Sequence, residues 1–570
     1  MRVLLCTLHS KYIHPSLALP CLAAHGKAHG PKEADFFIRE FRVQEPWEQI
    51  LSDILEQTPD IVAFSVYIWN RQATLDLCRV LKIARPNLRI VLGGPEISFE
   101  KADFFEAHPS IDALIRGEGE GPFVALMHAW AADKPASNIA RICIRQGGEI
   151  HEGPDGPQLA DLDSLPSPHA LGLVDLSKDI VYLETSRGCP YSCIFCMSAL
   201  DRRVRSFSMG RIRSDLQLLM EAGVRQIKLV DRTFNYDAKR AREIFRFILE
   251  HNRHSSFHFE IGAHLLDDET IRLLAKAPQG MFQFEIGVQS SLPSTLRSIE
   301  RHLPMEPLLE NVRRLRAETC VHLHLDLIAG LPGENVQQVL DSIDRVLELR
   351  PHHLQLETVK VLPGSPLRNR AQELGIRFAP FPPYAALCTP EASYQDLEKL
   401  RRLGRLLDLV QATGTFTHFI EALAHCFGSY SLGLLRLETF WSRHSLFRHP
   451  MGRQEIFRWL GHFCREGGDA QADLLTEHLV RDYCLCEKVL ENRLPEFFPA
   501  LLKSESLTPK AGARMDEVLE SLREEGLRLS WVVVPYNRLS EGQGTVAALY
   551  VCCQRSAATP RFIETFLPNA

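Results

Sequence analysis

Cys189, Cys193 and Cys196 follow one another as CxxxCxxC within VYLETSRGCPYSCIFCMS, Val181 to Ser198. Three thiolates delivered by one short loop suit a soft iron-sulfur centre, and three ligands for four irons leave one iron open to something else. An open coordination position is what chemistry, as opposed to storage, requires. A zinc site or three unrelated cysteines is the competing reading. Zinc wants four tetrahedral ligands with CxxC pairs, and no fourth Cys or His lies nearby in the loop. Two further pairs, His462 with Cys464 and Cys484 with Cys486, suggest a second metal site only weakly, because neither has a CxxC repeat and helix-buried cysteines are common.

These residues need a scaffold that brings loop ends together. From residue 179 to about 375, strand-like runs alternate with amphipathic helical patterns, the signature of a partial (β/α)6 barrel. The runs are Val181–Glu184, Gln226–Val230, Phe257–Ile261, Phe282–Gly287, His322–Ile328 and Leu354–Val359. Active sites of such barrels form at the carboxyl ends of the strands. The cysteine loop follows the first run and LVDRTFN, with Asp231, the second; Glu260 ends the third, and Glu285-Ile-Gly-Val-Gln289-Ser290 the fourth. An acidic residue and a glutamine at a barrel mouth can grip ribose hydroxyls with charged and neutral hydrogen bonds.

Residues 1 to about 132 alternate in the same way, with strand-like runs at Val3–Cys6, Asp35–Phe41, Ile61–Val66, Arg89–Leu92 and Ala113–Ile115. This predicts a five-stranded, doubly wound parallel sheet of the flavodoxin or Rossmann kind, whose ligands sit at the carboxyl ends of its strands. Those ends carry Ser65 to Asn70, Gly93-Gly94-Pro95-Glu96, and Arg116 to Gly121 with Glu118 and Gly119. Glycines let backbone approach a ligand closely, and a following helix start can receive a phosphate. A hairpin pattern from Ile139 to Ile150, turning at Gly147-Gly148, precedes a proline- and glycine-rich linker from His151 to Leu171.

Beyond about Pro380 the composition shifts. Ser393–Ala424 and Leu432–Leu502 read as amphipathic helices with breaks at Gly428, Pro450 and Gly467-Gly468. Leu529–Pro535 and Val546–Cys552, joined by NRLSEGQG, read as a short β hairpin. The predicted α/β organisation is therefore a doubly wound domain (1–150), a linker (151–178), a partial barrel (179–378) and a mostly helical C-terminal domain (379–570).

At 570 residues the chain is too long for a single core. A hydrophobic fraction of 45% and a charged fraction of 24% describe an ordinary globular protein. The net charge of -6 gives no footprint for nucleic acid, and no run of about 18 apolar residues marks a membrane span. Fifteen cysteines, an odd number without a dense framework, read as reduced thiols plus a cluster site in a reducing cytoplasm. The start, MRVLLCTLHSKYIHP, is not built like a signal peptide.

The cysteine loop resembles the signature of the radical S-adenosylmethionine (SAM) superfamily. The resemblance implies that the open iron chelates the amino and carboxylate groups of the methionine moiety, and that an electron from the cluster cleaves the sulfonium to a 5'-deoxyadenosyl radical. Phe195 would then lie near the adenine, and Asp231 would meet the methionine amino group through a loose GGE-like match. Arg301, twelve residues beyond Gln289 in SIER, matches a carboxylate-binding arginine of the coproporphyrinogen-oxidase-like branch; a solvated helix arginine is its alternative. DLIAGLPGE, Asp326 to Glu334, resembles GxIxGxxGE, in which Ile328 would pack on adenine while Gly330 and Gly333 allow the turn. VKVLPGSPL, Val359 to Leu367, is also similar to that branch.

The N-terminal segments look like the cobalamin-binding domain that precedes many radical SAM domains, and the whole arrangement resembles such proteins carrying a C-terminal domain of unknown function. Ser65, Gly93, Gly94, Glu118 and Gly119 would then hold the nucleotide tail and corrin edge. DxHxxG is missing after the first strand, where only His9 and His14 stand, so no histidine ligand on cobalt is expected. On physics alone, a flavodoxin-like module with another ligand stays open.

The resemblance implies an enzyme that uses one 4Fe-4S cluster, SAM and cobalamin to methylate an unactivated carbon of an organic substrate, with a reductant such as flavodoxin or ferredoxin. A cobalamin-dependent rearrangement or ring contraction is the runner-up, and a non-catalytic electron carrier or corrinoid sensor a third reading. A methylthiotransferase-like RNA modifier would need extra N-terminal cluster cysteines; Cys6, Cys21, Cys78 and Cys143 are too scattered. No residue near the barrel mouth identifies the substrate.

Overall fold

The computed structural model describes residues 1–11, 14–466, 469–525, 527–539, 546–554 and 560–567. The anticipated break at Gly467-Gly468 and most of the NRLSEGQG turn lie outside the described residues.

The first sheet is built from β1 (Arg2–His9), β2 (Asp35–Arg42), β3 (Ile61–Ser65), β4 (Arg89–Gly93) and β5 (Ala113–Ile115). Between them run α1 (Ala18–His29), α2 (Trp47–Glu56), α3 (Arg71–Ala84) and α4 (Ala102–Ala107), and α5 (Glu120–Ala131) follows β5. The order is β2-β1-β3-β4-β5, all parallel. β1 and β3 are buried on both faces, as near-continuous apolar runs in a parallel sheet should be. The predicted hairpin forms β6 (Ile142–Gln146) and β7 (Glu149–Glu152), with both turn glycines at positive φ. It is not a separate ornament: β6 pairs antiparallel with β5 and extends the sheet to seven strands. Strand structure therefore reaches Glu152, and the linker beyond it holds only one short 3-10 turn, Leu162–Ser164.

The second sheet begins with β8 (Ile180–Leu183), and the cysteine loop lies between two short strands, β9 (Ser186–Arg187) and β10 (Arg205–Ser206). Then come α6 (Met209–Glu221), β11 (Gln226–Leu229), α7 (Ala238–His251), β12 (Ser256–Glu260), α8 (Asp268–Leu274) and β13 (Phe282–Gln289). They are followed by α9 (Pro293–Ser298), α10 (Met305–Glu318), β14 (His322–Ala329), α11 (Val336–Leu347) and β15 (His353–Thr358). The sheet order is β15-β14-β13-β12-β11-β8, sequential along the chain as a partial barrel demands. Helix starts follow local chemistry: Asp237 caps α7, Asp267 caps α8, and Asn335 with Gln338 forms a capping box on α11.

The two faces of this sheet differ in chemistry. Phe257, Phe259, Phe282 and Phe284 pack with Phe234 and with Phe245 of α7, all completely buried. The parallel register puts Tyr182, Lys228, His258 and Gln283 in line on the other face, with Glu260 and Glu285 side by side one pleat further. A closed barrel fills its interior with branched apolar side chains; a polar interior is built for a ligand.

α12 (Pro366–Arg370) and the small strands β16 (Arg377–Phe378) and β17 (Ala386–Cys388) follow β15. The described chain divides into two compact units, one of residues 1–324, 330–334 and 358–394, the other of 325–329, 335–357 and 395–570. The second contains α13 (Tyr394–Leu406, except its first residue), α14 (Thr417–Phe427), α15 (Tyr430–Arg443), α16 (Arg453–Glu466) and α17 (Asp469–Cys484). The helical pattern read as far as Leu502 stops at Cys484; Pro495 and Pro499 each lack the N–H that a helix interior needs. α18 (Pro509–Glu524) then packs on a sheet of β18 (Arg528–Tyr536), β19 (Val546–Gln554) and β20 (Arg561–Leu567). The predicted hairpin is β18 and β19, and β20 completes it as a third antiparallel strand. Among the described residues no helix is long and apolar enough to cross a membrane.

Candidate functional site

The cysteine loop is closed at its base by the antiparallel pairing of β9 with β10, Arg187 opposite Arg205. Gly188 enters it at φ 94, and a Cβ there would stand 2.5 Å from the Arg203 carbonyl oxygen. The Cys189 amide donates to the Asp201 carbonyl at 2.8 Å and the Cys196 amide to that of Cys193 at 3.0 Å. Ile194, between the second and third cysteines, fixes the loop on both sides: its amide donates to Ile299 at 3.0 Å, and its carbonyl accepts from Leu367 at 2.8 Å. The LPGSPL segment is thus a clamp on the cysteine loop.

Each thiol faces a polar partner. Cys189 Sγ lies 3.6 Å from Thr233 Oγ1, Cys193 Sγ accepts from Arg301 Nη1 at 3.5 Å, and Cys196 Sγ accepts from the Ser198 amide at 3.4 Å. Burial pushes the Cys193 thiol up, and the Arg301 guanidinium opposes that rise. The Arg301 guanidinium and the Ser198 amide are donors aimed at sulfur, as suits thiolate ligands. Among the described residues no three His, Cys, Asp or Glu side chains converge as ligands of a single metal ion.

Around Arg301 the chain is tightly fitted. Its second nitrogen donates to the Gly287 carbonyl, and its Nε is buried without a partner. A Cβ on Gly287 would lie 2.2 Å from the Gln289 amide nitrogen and 3.3 Å from the Arg301 guanidinium. Gln289 sits at φ 71, strained for a residue with a side chain, and its buried amide oxygen also has no partner. Orphaned buried polar atoms beside backbone strain mark a place made for a ligand. Ser290, completely buried, donates to Glu334 Oε1 at 2.5 Å, while Glu334 Oε2 is unpartnered and burial pushes that carboxyl up to about 7. Glu334 had been visible only as the end of LPGE. Phe195 and Glu260 are half-buried, Ile328 is half-buried on β14, and Gly330 and Gly333 turn at φ 82 and 78.

Asp231 corrects the expectation placed on it. It is fully buried, and its oxygens accept from the Thr185 amide at 3.1 Å, the Thr185 hydroxyl at 2.6 Å and the Ser186 hydroxyl, with Arg240 at 3.6 Å. Little lone-pair capacity remains for a methionine amine; the carboxylate anchors the strand that leads into the cysteines. Ser290, spent on Glu334, is likewise a support.

Inside the barrel face, His258 donates to Glu285 at 2.8 Å and Lys228 stands 3.5 Å from the same carboxylate. Burial would raise the Glu285 carboxyl, but His258, Lys228 and His324 together bring it down to about 2. Lys228 and His258 are polar residues interrupting apolar strands, a signal that the sequence reading passed over.

In the doubly wound domain, Gly94 stands at φ 103 with its Cβ position 2.6 Å from the Val66 oxygen, so the GGP turn presses against the end of β3. Buried Asn70 donates to Leu8, Thr7 and Ser65 and so joins the ends of β1 and β3, and Tyr67 stacks on exposed Trp69 at 4.6 Å. Ser65 is buried, with its carbonyl accepting from Thr7, and Gly93 is half-buried beside it. Glu118 departs from the expectation of a corrin contact: it receives a bidentate pair from Arg205 at 2.5 and 3.1 Å and the Leu159 amide at 3.1 Å. Gly119 is the N-cap of α5. His9 lies 3.5 Å from Glu40, and His14 Nδ1 bonds Tyr182 of β8 at 2.8 Å. In the second unit, Cys484 is buried and Cys486 half-buried.

Three family models match the chain: a B12 binding domain over residues 3–127, the radical SAM superfamily over 183–346, and a protein of unknown function, DUF4080, over 372–527. A cobalamin-dependent radical SAM methyltransferase, TokK, of Streptomyces tokunonensis is 28% identical over 59% of this chain and 52% of its own. A 2-(S-pantetheinyl)-carbapenam-3-carboxylate methyltransferase of Streptantibioticus cattleyicolor is 28% identical over 56% of this chain and 50% of its own. The chain spans about half the length of these curated relatives. Among solved structures, the cobalamin-dependent SAM radical enzyme OxsB with aqua-cobalamin bound superposes with a TM-score of 0.60 at 16% identity, over 84% of this chain and 80% of that one. The radical SAM methyltransferase TsrM of Kitasatospora setae gives 0.54 at 18% identity, over 66% and 76%. These two likenesses concern the fold.

Proposed function

We propose that this chain, which carries a B12 binding domain, a radical SAM domain and a DUF4080 domain in that order, is a cobalamin-dependent radical SAM enzyme that methylates an unactivated carbon. The observation that carries the reading is the cysteine hairpin, whose three thiols each face a polar partner and whose base is ion-paired to the loop after β5. Named relatives that are methyltransferases support the methyl-transfer half of it. The boundaries 1–150, 151–178, 179–378 and 379–570 go with this proposal.

Bound together, the cluster, SAM and cobalamin supply reductive cleavage to a 5'-deoxyadenosyl radical and delivery of a methyl group. The protein's part is to bind, orient and exclude water. Cys189, Cys193 and Cys196 hold the cluster. Arg301 and Gln289, with their orphaned buried atoms, take the polar ends of SAM, Glu260 its ribose, and Phe195 with the turn at Gly330 and Gly333 its adenine. Ser65, Gly93 and Gly94 present backbone to the corrinoid, with Tyr67 and Trp69 beside them. The polar barrel face of Lys228, His258 and Glu285 receives an organic substrate. A flavodoxin or ferredoxin of a reducing cytoplasm provides the electron.

The test is anaerobic reconstitution with iron, sulfide and hydroxocobalamin, then dithionite and SAM labelled in its methyl group. Formation of 5'-deoxyadenosine together with a labelled methylated product from a candidate substrate supports the reading. Labelled SAM that yields 5'-deoxyadenosine and a rearranged, unlabelled product moves the chain to the rearrangement class.

A further inference from the structure

The two glutamates of the RGEGEG loop are ion-paired with the base of the cysteine hairpin. Glu120, first residue of α5, meets Arg187 at 2.6 Å, and Glu118 meets Arg205 at 2.5 Å and Arg187 at 3.8 Å. Arg187 also holds Glu184 at 3.0 Å, and Arg205 holds Asp201 at 2.7 Å. Arg187 and Arg205 are the paired residues of β9 and β10, the base of the cysteine hairpin, and Asp201 is the residue whose carbonyl receives the Cys189 amide. The side chains are well covered, with Arg205 4%, Glu120 10% and Arg187 12% exposed. Both guanidiniums therefore tie the hairpin that holds the cysteines to one short loop of the doubly wound sheet.

A covered ion network of this kind is a poor source of net stability, because desolvation consumes most of the Coulomb gain. What it does well is fix geometry, since bidentate Arg–carboxylate pairs tolerate little displacement. The strands β9 and β10 are two residues each, too short to hold a hairpin in place alone. Burial brings the Glu184 carboxyl up to about 7, and the Arg187 guanidinium beside it opposes that rise. Moving the RGEGEG loop by a fraction of an ångström moves Arg187 and Arg205, and with them Gly188 and Cys189.

We propose that Glu118 and Glu120 are positioning residues through which corrinoid binding at the doubly wound sheet and cluster binding at the cysteine hairpin strengthen each other. The inference rests on the proposed cofactor content. Linkage makes the coupling reciprocal: cluster tightens corrinoid binding by the same factor as corrinoid tightens cluster binding.

The experiment uses the full chain and hydroxocobalamin as probe, with no SAM or substrate. Its affinity is measured by visible absorbance for cluster-free and anaerobically cluster-loaded protein, and a ferrous chelator reports how fast iron is stripped with and without the probe. In the wild type, cluster-loaded protein is expected to bind on the order of tenfold tighter, and the probe to slow iron loss. In Glu120→Gln and in Arg205→Lys, which retains the charge but not the fork, the ratio should fall to about one while both cofactors still bind. Tyr384→Phe is the control. It removes the contact of Tyr384 with Glu96, which lies outside the hairpin, so the ratio should persist. A ratio of one in the wild type overturns the proposal, as does an unchanged ratio in the Glu120 and Arg205 variants or an equal loss in Tyr384→Phe. Should Glu120→Gln not fold, Arg205→Lys decides. A wild type that binds no hydroxocobalamin, loaded or not, sinks the cobalamin reading itself and the coupling with it.

Discussion

Cys193 and Arg301 meet at 3.5 Å, so substitutions at the two should part company in a telling way. Cys193→Ala removes one thiolate and is expected to abolish the cluster, whereas Cys484→Ala, in the second unit, leaves iron content unchanged; iron analysis after anaerobic reconstitution reads both. Arg301→Ala should keep iron, weaken SAM binding by roughly ten- to hundred-fold in calorimetry, and shift the cluster midpoint potential to more negative values, since a cationic donor to a ligand sulfur favours the reduced cluster. Unchanged affinity and potential would return Arg301 to a packing role. Glu334 gives a pH signature. Its carboxyl rises from an ordinary 4.5 to about 7 by burial, so between those pH values the folded chain holds a proton that the unfolded chain lacks. The associated stability is complete below pH 4.5 and is lost as pH climbs through 7, up to roughly 3 kcal/mol. Glu334→Gln should flatten that slope in chemical denaturation of the SAM-free protein and raise stability at pH 8. The cysteines were legible because their chemistry is compressed into eight residues, Cys189 to Cys196. The partners of Glu118 and Glu120 were not, lying 87 and 67 residues away with no periodicity to announce them.

Elements carried most of what the sequence pattern could express. The alternating runs located the strands because parallel β-strands buried on both faces must be apolar throughout, and the helices between them must be amphipathic. Edges were harder. The Ile139–Ile150 hairpin was recognisable from its GG turn, but nothing local says that β6 joins β5. β20, RFIETFL, carries Arg561 and Glu564 in a half-exposed strand, and such a run lacks the unbroken apolar stretch that marked β18 and β19. The polar barrel face was missed because Lys228 and His258 interrupt apolar strands singly and become a cluster only in register. The hairpin base offers a test at this scale. Gly188→Ala forces a Cβ to within 2.5 Å of the Arg203 carbonyl in a backbone region that side chains avoid. We expect it to lose most cluster loading while the far-UV circular dichroism of the chain is retained; full iron content would mean that the loop tolerates another path.

At the scale of the molecule, the loops after β1, β4 and β5 all engage the elements around the cysteines or the strap beyond β15: His14 with Tyr182, Glu96 with Tyr384, Glu120 with Arg187. These contacts decide what the two histidines near the end of β1 can do. His9 Nε2 stands 3.5 Å from Glu40 without a hydrogen bond, His14 is bonded to the Tyr182 hydroxyl at 2.8 Å, and neither stands within a DxHxxG segment that would aim it at a corrin. If the doubly wound domain binds a corrinoid, no imidazole of this chain should serve as its lower ligand. Purified protein is then expected to take up about one hydroxocobalamin per chain, and reduction to the Co(II) state should give an electron paramagnetic resonance spectrum without nitrogen superhyperfine splitting. His9→Ala and His14→Ala should leave that spectrum as it is. His14→Ala frees the Tyr182 hydroxyl on the barrel face, so any effect should fall on substrate affinity and spare the cobalt. A nitrogen-split spectrum that disappears in either variant would show that a histidine leaves its present partner to reach the metal, and the ligand-free reading would be wrong.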